Sequence, residues 1–544
     1  MVRSALVLLL GLLVQASAAA QSAPPEPEGM RERIEQLRAD PDTPVEGVKL
    51  AAAGFVAQLY ERHGFALEWT SEAAGQLAQA IDAVEADGLN PEDYLRAALA
   101  RARAAADAPG APAAERIDCD LLHSEALVRL LYHLVLGKVD PKTLDSNWNF
   151  GRALDVADPL SFVQEIIDSG QVSERIAREK PQRALYHKLV DAYAAERARA
   201  AAGGWAALPA GPALKPGVGD ARVPALRARL VAGGDLEPGA SSEGDAFDPA
   251  LADAVRAFQA RHGLTPDGVL GAGTLAELNV PVSERLSQLR VNLERARWLL
   301  HDLPPAFVLV NVAGFQVYLV RDDAIVWRGR AQVGKPYRAT PIFRSDLSYL
   351  VLNPTWTVPP GIFAADILPA QRRDRGTLAR KGLEVVDYDG RPVPADSIDW
   401  STVTPRNFRY LLRQKPGPTN ALGRVKFMFP NSHSVYLHDT PSRNLFDRDD
   451  RAFSSGCIRV ENPLELAALL LDEKPGWDRA AIDAAIAKGD TRTVGLAKPL
   501  PVLLLYWTAW VDGEGKLQLR RDLYGRDARV AAGLAQPFRL RRAR

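Results

Sequence analysis

The chain changes from helical to β character at the stretch FVLVNVAGFQVYLV, residues 307–320. Two apolar runs of strand length flank the small-residue pair Ala313-Gly314, a pattern that predicts a β-hairpin. The sequence predicts further strands at 324–328, 349–352, 434–437 and 501–507. We therefore expect a mostly β domain over residues 282–544, with a C-terminal extension over about 496–544.

An excursion interrupts this β pattern between Pro359 and about Gly423, where the sequence becomes charged and rich in proline and glycine. A segment of this length inside a β domain is more often functional than idle. Its apolar residues predict a face that can fold over a groove: Ile362, Phe363, Ile367, Leu368 and Trp400. We therefore predict a lid over about 359–423 that excludes water from a site.

The region before the hairpin is predicted to be helical. Apolar residues recur near the helical period between residues 45 and 202, for example at Leu50, Phe55 and Leu59, which predicts a helical scaffold domain over 45–202. Glycine and proline punctuate residues 203–217, so this segment is a predicted linker. Residues 218–281 then carry short apolar stripes that predict a small separate helical module.

Residues 1–20 have the features of a signal peptide. Arg3 precedes an apolar run from Ala5 to Val14, and small residues at 16–20 offer cleavage sites. An uncleaved anchor is the alternative, although the run is short for a membrane span. Residues 21–44 are rich in Pro, Glu and Ala, which predicts a flexible lead-in. The rest of the sequence lacks an apolar run of membrane-spanning length, so we expect no integral membrane segment after signal cleavage.

The composition limits the possible functions. The chain has 544 residues, and 67 Lys and Arg balance 67 Asp and Glu, so the formal net charge is zero. This length predicts two to four domains, and the charge balance argues against broad binding of nucleic acid. The two cysteines allow one disulfide in an oxidising compartment. Their contexts favour separate roles, because Cys119 starts a predicted helix and Cys457 lies in a polar turn.

Cys457, in the sequence SSGCIR (residues 454–459), is the candidate nucleophile. A nucleophilic cysteine needs a base for its proton and N–H donors for the oxyanion. His438 is the candidate base because it ends a predicted strand in the β region, whereas His433 fits a turn better. Gly456 allows the backbone to approach a substrate closely. From these residues alone, a packed core cysteine or a redox cysteine is the alternative.

The order and spacing of these residues resemble the catalytic signature of the L,D-transpeptidase (YkuD) domain. That signature is a histidine, a spacer, and Ser/Thr-His-Gly-Cys followed by Ile or Val and by Arg or Asn. In this chain His438 precedes Cys457 in the same order, and the long spacer resembles the large periplasmic branch of the family. Ser455 departs from the signature because most members have a second histidine there, so the role of that histidine does not carry over.

The resemblance covers nearly the whole mature chain. Residues 223–278 look like a three-helix peptidoglycan-binding domain, and GLNPEDY (residues 88–94) is similar to the scaffold domain of the same branch. Residues 506–510 and 522–527 resemble its C-terminal extension. The expected fold is multidomain α+β, with a helical scaffold domain, a peptidoglycan-binding domain over 218–281, and a mostly β YkuD-type catalytic domain with an inserted lid.

The resemblance also implies roles for the motif residues. Cys457 would attack the carbonyl at the third residue of a tetrapeptide stem and expel the terminal D-alanine. His438 would take the thiol proton, and the backbone carbonyl of Asp439 would hold the far imidazole nitrogen. The backbone N–H groups of Gly456 and Cys457 would bind the oxyanion.

The remaining motif residues are candidates for substrate binding. Arg459 would pair with a stem carboxylate, with a surface salt bridge as the alternative. Ser455 is a candidate by position, and Tyr436 is another, with a packed strand tyrosine as its alternative. No cofactor is implied. His433 and Asp439 lack the spacing and the third ligand of a zinc site, so we predict no metal.

The implied function is the formation of 3→3 cross-links between peptidoglycan stems in the periplasm, as part of cell-wall biogenesis and cell shape. The partners would be tetrapeptide donor stems and diamine-containing acceptor stems, with other cell-wall synthases as candidate protein partners. The resemblance also implies that carbapenems acylate Cys457. Two alternatives stay open, an L,D-carboxypeptidase that trims tetrapeptide stems and a non-catalytic peptidoglycan-binding protein.

Overall fold

The computed structural model describes residues 26–146, 148–150, 157–241 and 244–540. The predicted signal peptide over 1–20 lies outside the described residues. Within them, no helix combines the length and the apolar character needed to cross a membrane. The chain divides into two compact units: the first comprises Met1–Gln79, Glu92–Arg129 and Asp158–Ser173, and the second comprises Ala80–Pro91, Leu130–Ala157 and Glu174–Arg544.

Helices dominate the described residues before Gly203. In chain order they are α1 Glu26–Ala39, α2 Ala53–Arg62, α3 Ser71–Ala83, α4 Arg96–Ala106, α5 Ala113–Leu136, α6 Pro141–Leu144, α7 Pro159–Asp168, α8 Val172–Arg178 and α9 Ala184–Ala201. The predicted flexible lead-in is wrong for the residues of α1. Met30, Ile34 and Leu37 recur at helical spacing along α1 and are buried, so this segment has an apolar stripe to pack.

Within the first unit, a buried carboxylate of α5 anchors neighbouring backbone. Asp120 accepts hydrogen bonds from the hydroxyl of Tyr60 at 2.5 Å and from the backbone N–H groups of Glu68 and Trp69 at 2.9 and 3.0 Å. A buried carboxylate needs such donors to offset its lost hydration. This arrangement accounts for Asp120 as a structural residue.

The small helical module contains α10 Val223–Gly233, α11 Pro249–Arg261 and α12 Ala272–Leu278. Asp248 caps α11 by accepting the N–H of Leu251, and Pro249 occupies the first turn, where its missing N–H costs nothing. The predicted linker over 203–217 contains no helix or strand. Two of its residues, Leu208 and Leu214, are nevertheless buried in the core of this module.

Strands dominate the remainder, with helices between them. In chain order the elements are α13 Val282–Leu299, β1 Ala306–Asn311, β2 Gln316–Arg321, β3 Ala324–Gly334, β4 Phe343–Leu352, β5 Trp356–Thr357, α14 Pro360–Ile362, α15 Leu368–Arg373, α16 Thr377–Arg380, β6 Glu384–Val386, β7 Pro392–Val393, β8 Leu411–Gln414, β9 Val425–Met428, β10 Leu437–His438, β11 Ala452–Ser454, β12 Ile458–Val460, α17 Pro463–Leu470, α18 Arg479–Ala487, β13 Arg492–Leu505, β14 Ala509–Val511, β15 Leu517–Leu519 and α19 Asp527–Leu534.

Nine of these strands form one sheet in the order β11-β3-β12-β10-β9-β4-β13-β1-β2, and β2 also pairs with β3, so the sheet closes on itself. The antiparallel pairing of β1 with β2 confirms the predicted hairpin. β10 and β12 pair in parallel, with Leu437 opposite Ile458 and His438 opposite Arg459. Because strand residues alternate between faces, Leu437 and Ile458 are fully buried in the core, and His438 and Arg459 lie on the opposite face.

The predicted lid over 359–423 forms a folded subdomain. It contains a four-stranded sheet in the order β5-β8-β6-β7, of which β5 lies just before residue 359. The apolar residues that were expected to face a groove, among them Phe363, Ile367 and Trp400, form a hydrophobic core of their own. That part of the prediction is wrong, because the segment is large enough to bury its apolar residues internally. We call it the lid subdomain.

Candidate active site

Neighbouring strands place a row of polar side chains on the face of the closed sheet opposite its core. His438 lies opposite Lys426 of β9 on one side and Arg459 of β12 on the other. Arg459 in turn lies opposite Gln332 of β3, and its Nη1 donates to Gln332 Oε1 at 3.0 Å. Paired strand residues point to the same side of a sheet. The pairing therefore gathers two cations, an imidazole and an amide.

Cys457 joins this cluster because it immediately precedes β12 and lies level with Tyr436, which precedes β10. Its Sγ lies 3.7 Å from the carbonyl oxygen of Ser434. Burial raises the pKa of the Cys457 thiol, while the backbone N–H and hydroxyl of Tyr436 and the charges of Lys426 and Arg459 lower it. The resting thiol is thus protonated at neutral pH, and these donors and cations offset part of the cost that burial imposes on the thiolate.

His438 is buried, and its Nδ1 lies 2.5 Å from the backbone carbonyl oxygen of Asp439. A carbonyl only accepts, so Nδ1 carries the proton and Nε2 is left as the basic nitrogen. Burial, with smaller contributions from Arg459 and Lys426, lowers the pKa of His438 to about 3. The described residues show no hydrogen bond between His438 and Cys457, which lie two register positions apart on neighbouring strands. Such contacts often tighten only when substrate is bound.

The side chain of Asp439 has a separate structural task. It is buried and accepts a hydrogen bond from the backbone N–H of Arg424 at 2.9 Å, and it faces Arg443 Nη2 at 3.4 Å. Gly423 lies against it with a left-handed φ of 62°, and a Cβ at that position would come within 2.5 Å of the Asp439 side chain. The carboxylate therefore fixes the C-terminal end of the lid subdomain, while the carbonyl of the same residue orients His438.

Gly456 does not fit the role expected of its backbone N–H. That N–H donates to Ser454 Oγ at 3.1 Å, a local bond that a serine two residues earlier readily makes. The carbonyl of Gly456 accepts from Thr340 Oγ1 at 2.8 Å, and its φ is 120°, where a side chain would be strained. The backbone N–H of Cys457 has no acceptor within the described ranges. In this conformation Cys457 is therefore the available oxyanion donor.

Ser455 lies at the junction between the nucleophile turn and the lid subdomain. Arg338 Nη1 donates to Ser455 Oγ at 2.8 Å. The same guanidinium pairs with both carboxylate oxygens of Asp366, at 2.6 and 3.1 Å. Bidentate pairs of this kind fix geometry well. Sequence reasoning missed Arg338 because it lies in a short turn far from the motif.

Arg459 has no carboxylate partner among the residues that the structure describes, which argues against the surface salt bridge. Its Nε is buried without a hydrogen-bond partner in the described part of the chain, and burial lowers the pKa of Arg459. Tyr436 packs edge-on to His438 with ring centroids 5.6 Å apart, and Lys426 Nζ lies 3.7 Å from the Tyr436 ring centroid. Sequence analysis missed Lys426, although a lysine alternating with apolar residues in 425–428 was an available signal.

A residue of the C-terminal extension, Tyr524, forms hydrogen bonds that support this site. The hydroxyl of Tyr524 donates to the carbonyl of Gly334 at 2.6 Å and accepts from the N–H of Thr340 at 3.2 Å. A Cβ on Gly334 would lie 2.1 Å from the carbonyl oxygen of Arg338, so only glycine fits this fold of the chain. Thr340 Oγ1 then contacts both Gly334 and Gly456. A continuous set of hydrogen bonds therefore joins Tyr524 to the residue before Cys457.

The described residues contain no group of three or more His, Cys, Asp or Glu side chains arranged to hold a metal ion. Cys119 and Cys457 are both free thiols, so the disulfide that sequence allowed is absent from the structure. The chemistry available to the cluster is therefore that of a protonated thiol, a neutral imidazole, two cations and one backbone N–H.

Comparison with known protein families agrees with this arrangement. A model of the L,D-transpeptidase catalytic domain (YkuD) matches residues 305–491, a scaffold-domain model matches 54–192, and a model described as "Putative peptidoglycan binding domain" matches 219–278. Residues 305–491 of this chain are thus similar to the catalytic domain of L,D-transpeptidases, and the fold is the multidomain α+β arrangement that the sequence predicted.

Individual relatives give the following matches. A Haemophilus influenzae protein named "Putative L,D-transpeptidase" is 35% identical over 246 residues, which are 45% of this chain and 48% of that protein. The chain thus spans about half the length of this curated relative. A crystal structure of an L,D-transpeptidase from Xylanimonas cellulosilytica is 17% identical and has a TM-score of 0.19, covering 55% of this chain and 99% of that one. Mycobacterium tuberculosis L,D-transpeptidase 1 is 15% identical with a TM-score of 0.16, covering 37% and 61%.

Proposed function

We propose that this protein forms 3→3 cross-links between peptidoglycan stem peptides in the periplasm, through an acyl-enzyme on Cys457. The observation that carries this proposal is the cluster on the closed sheet. It combines Cys457, a neutral His438 whose Nδ1 is held by a carbonyl, and a Cys457 N–H that has no acceptor within the described residues. The cluster lies in the region matched by the L,D-transpeptidase model.

The first half-reaction forms a thioester. Sγ of Cys457 attacks the carbonyl carbon of the third stem residue while its proton passes to Nε2 of His438. The negative charge on the former carbonyl oxygen is stabilised by the N–H of Cys457. The C–N bond to the terminal D-alanine then breaks, and the imidazolium returns the proton to the departing amine. The products are the acyl-enzyme and free D-alanine, with His438 neutral again.

The second half-reaction transfers the acyl group. The side-chain amine of an acceptor stem attacks the thioester carbonyl and gives its proton to His438. The C–S bond breaks, and the thiolate of Cys457 recovers that proton. Water in place of the amine would yield a tripeptide stem, so acceptor choice depends on excluding water from the thioester.

Two groups in the cluster suit the anionic stem. Gln332 holds one end of the Arg459 guanidinium, whose buried Nε has no partner within the described ranges, so Arg459 is available for a stem carboxylate. Lys426 supplies a second cation beside His438. Arg338 ties the lid subdomain to the nucleophile turn, and this contact supports a role for the subdomain in covering the acyl-enzyme.

Product analysis tests the proposal. The mature protein is incubated with tetrapeptide muropeptides, and the products are resolved by mass spectrometry, with Cys457→Ala as the matched control. Dimers joined between third residues, together with free D-alanine, would support cross-linking. Tripeptide monomers alone would replace it with carboxypeptidase activity, and unchanged substrate would leave peptidoglycan binding as the function.

A further inference from the structure

A second concave region lies within the second compact unit, away from Cys457. It is a cleft of about 920 Å³, bounded by α9, by the peptidoglycan-binding module, by β2 and β3, and by the hairpin of β14 and β15. Pockets of 300–1,000 Å³ are typical of sites for whole small molecules, so this cleft has room for more than one sugar ring. We call it the interdomain cleft.

Two aromatic side chains form part of its lining, Trp510 of β14 and Tyr318 of β2. Both are half-buried. The guanidinium of Arg520 lies 4.9 Å from the ring centroid of Trp510, which fixes that ring. The hydroxyl of Tyr318 makes no hydrogen bond within the described residues. The pair therefore offers amphipathic surface with a polar group at its edge.

Three arginine side chains that line the cleft are paired with carboxylates, whereas Arg328 and Arg520 have no carboxylate partner among the described residues. Arg199 contacts Glu196 at 2.5 Å, Arg261 contacts Asp235 at 2.5 and 2.6 Å, and Arg330 contacts Glu461 at 2.5 and 2.8 Å. An anionic polymer would have to compete with the carboxylate of each pair. A neutral ligand with many hydroxyl and amide groups can instead bind beside the pairs, donating to carboxylates and accepting from guanidinium groups.

Glu196 gives the clearest sign that a ligand belongs here. Its side chain lines the cleft and is 4% exposed. One carboxylate oxygen accepts from Arg199, but Oε2 is buried and has no hydrogen-bond partner among the described residues. A buried acceptor without a donor is costly. A hydroxyl or amide N–H of a bound sugar would supply that donor.

We propose that the interdomain cleft is a binding subsite for the glycan strand of peptidoglycan, used while the stem is held at Cys457. This inference rests on the proposed function. Cys457 immediately precedes β12 and Glu461, which lines the cleft, immediately follows it. Four residues at the rise of an extended strand separate the two by about 13 Å. Three stem residues reach about 10 Å from the reacting carbonyl back to the sugar. The glycan therefore passes near the cleft when its stem is in the site.

The test uses the mature full-length protein and stem-free glycan chains prepared by amidase digestion of sacculi. Binding is measured by calorimetry for the wild type, Trp510→Ala and Glu196→Gln. We expect Kd for the glycan to rise about tenfold in Trp510→Ala and several-fold in Glu196→Gln. Tyr388→Ala is the matched control, because Tyr388 is an exposed aromatic residue of the lid subdomain, and its Kd should equal the wild-type value.

Equal glycan binding in wild type and both variants would overturn the assignment, as would wild-type protein that binds no glycan. Glu196→Gln keeps the test decisive if Trp510→Ala fails to fold. Inorganic polyphosphate is tested in parallel, and binding of polyphosphate in place of glycan would identify an anion site and overturn the proposal. D-alanine release from a sugar-free tetrapeptide tests the proposed function separately, so its absence beside normal glycan binding would remove only the cross-linking activity.

Discussion

The two cysteines of this chain lie in opposite electrostatic surroundings, although each has a histidine nearby. Sγ of Cys119 is 3.6 Å from Nδ1 of His123, one turn later on α5. No contact that short is recorded between Cys457 and His438 in the described residues. Judged by proximity alone, the helical pair would be the better candidate for catalysis.

The groups around each thiol instead favour Cys457 as the reactive cysteine. Burial and then the carboxylates of Asp120 and Asp107 raise the pKa of Cys119 to about 11. For Cys457 only burial raises the pKa, and every other contribution lowers it, namely the two donors of Tyr436 and the cations Lys426 and Arg459. Burial therefore opposes the thiolate at both sites, and the neighbouring carboxylates add to that cost at Cys119, whereas the donors and cations offset part of it at Cys457.

The histidines differ in the same way. His123 Nδ1 lies 2.8 Å from the carbonyl of Cys119 in the preceding helical turn, a contact that ties the ring to its own helix. His438 Nδ1 is held by the carbonyl of Asp439, and the ring faces the row of polar side chains. The comparison teaches that the supporting groups, more than the distance between Cys and His, mark a reactive thiol.

The largest expected effect is the loss of activity in Cys457→Ala. We expect D-alanine release to fall by at least about 10³-fold, because the nucleophile is removed. Intact-protein mass after carbapenem treatment should show one adduct in the wild type and none in this variant.

Cys119→Ala is the matched control for this change. It should keep most of the activity and the adduct, because the cysteine is buried in α5. If Cys119→Ala instead removed the adduct and Cys457→Ala kept it, the assignment of the nucleophile would be reversed.

A smaller effect is expected from Lys426→Met, which keeps the length of the side chain and removes its charge. Because this cation lowers the pKa of Cys457, alkylation of the thiol by iodoacetamide should slow about tenfold at pH 7.5. Arg103→Met is the counterpart near Cys119, whose pKa Arg103 lowers. It should leave Cys457 alkylation unchanged. An unaltered rate in Lys426→Met would mean that the hydrogen bonds of Tyr436 suffice.

The sequence predicted the parts of this site that adjoin in the chain. Cys457, His438 and the carbonyl of Asp439 follow from a motif and a strand end, and the hairpin follows from alternating apolar runs. Residues 359–423 do interrupt the large sheet with a segment that has its own core, and their role as a lid stays a prediction. The hydrophobic core inside residues 359–423 was not predicted. The segment contains enough apolar residues to bury them against one another.

Long-range contacts were beyond sequence reasoning. Arg338 reaches Ser455 across 117 positions, and Tyr524 reaches Gly334 across 190. Pairings of this kind depend on the register of a closed sheet, which no local pattern determines. The local bond from Gly456 to Ser454 Oγ was accessible in principle, since serine favours such turns, and it was overlooked.

Tyr524→Phe probes one of these long-range contacts with an intermediate effect. Losing the hydroxyl leaves the carbonyl of Gly334 and the N–H of Thr340 without their partner, which costs about 1–3 kcal/mol for buried groups. We expect kcat for cross-linking to fall about three- to tenfold with little change in KM, because Thr340 positions Gly456.

The readout must separate positioning from stability. A purely structural role would lower Tm and leave kcat of the folded fraction unchanged, and that result would contradict this prediction. Tyr388→Phe, at an exposed position, is the matched control and should alter neither quantity.

The smallest effect on activity is expected from pH. An ordinary histidine would be half-protonated at pH 6.5, and a base of that kind would give kcat/KM an acid limb there. Burial lowers the pKa of His438 to about 3, so its imidazole stays neutral from pH 8 down to pH 5. We expect kcat/KM for D-alanine release to vary less than about twofold over this range, and an acid limb centred near pH 6.5 would contradict it.

The lowered pKa of His438 also makes the stability of the folded protein depend on pH. Between pH 3 and 6.5 the unfolded chain binds more protons at His438 than the folded chain does, so this residue lowers the free energy of unfolding as pH falls through that window. His438→Gln should therefore lose less Tm between pH 7.5 and 5 than the wild type. Burial also lowers the pKa of His123, so His123→Gln should reduce the pH dependence of Tm in the same direction. The two variants differ in the activity assay, where we expect His123→Gln to retain D-alanine release and His438→Gln to lose it. Equal activity in both would mean that the helical pair and the sheet pair do not differ in function.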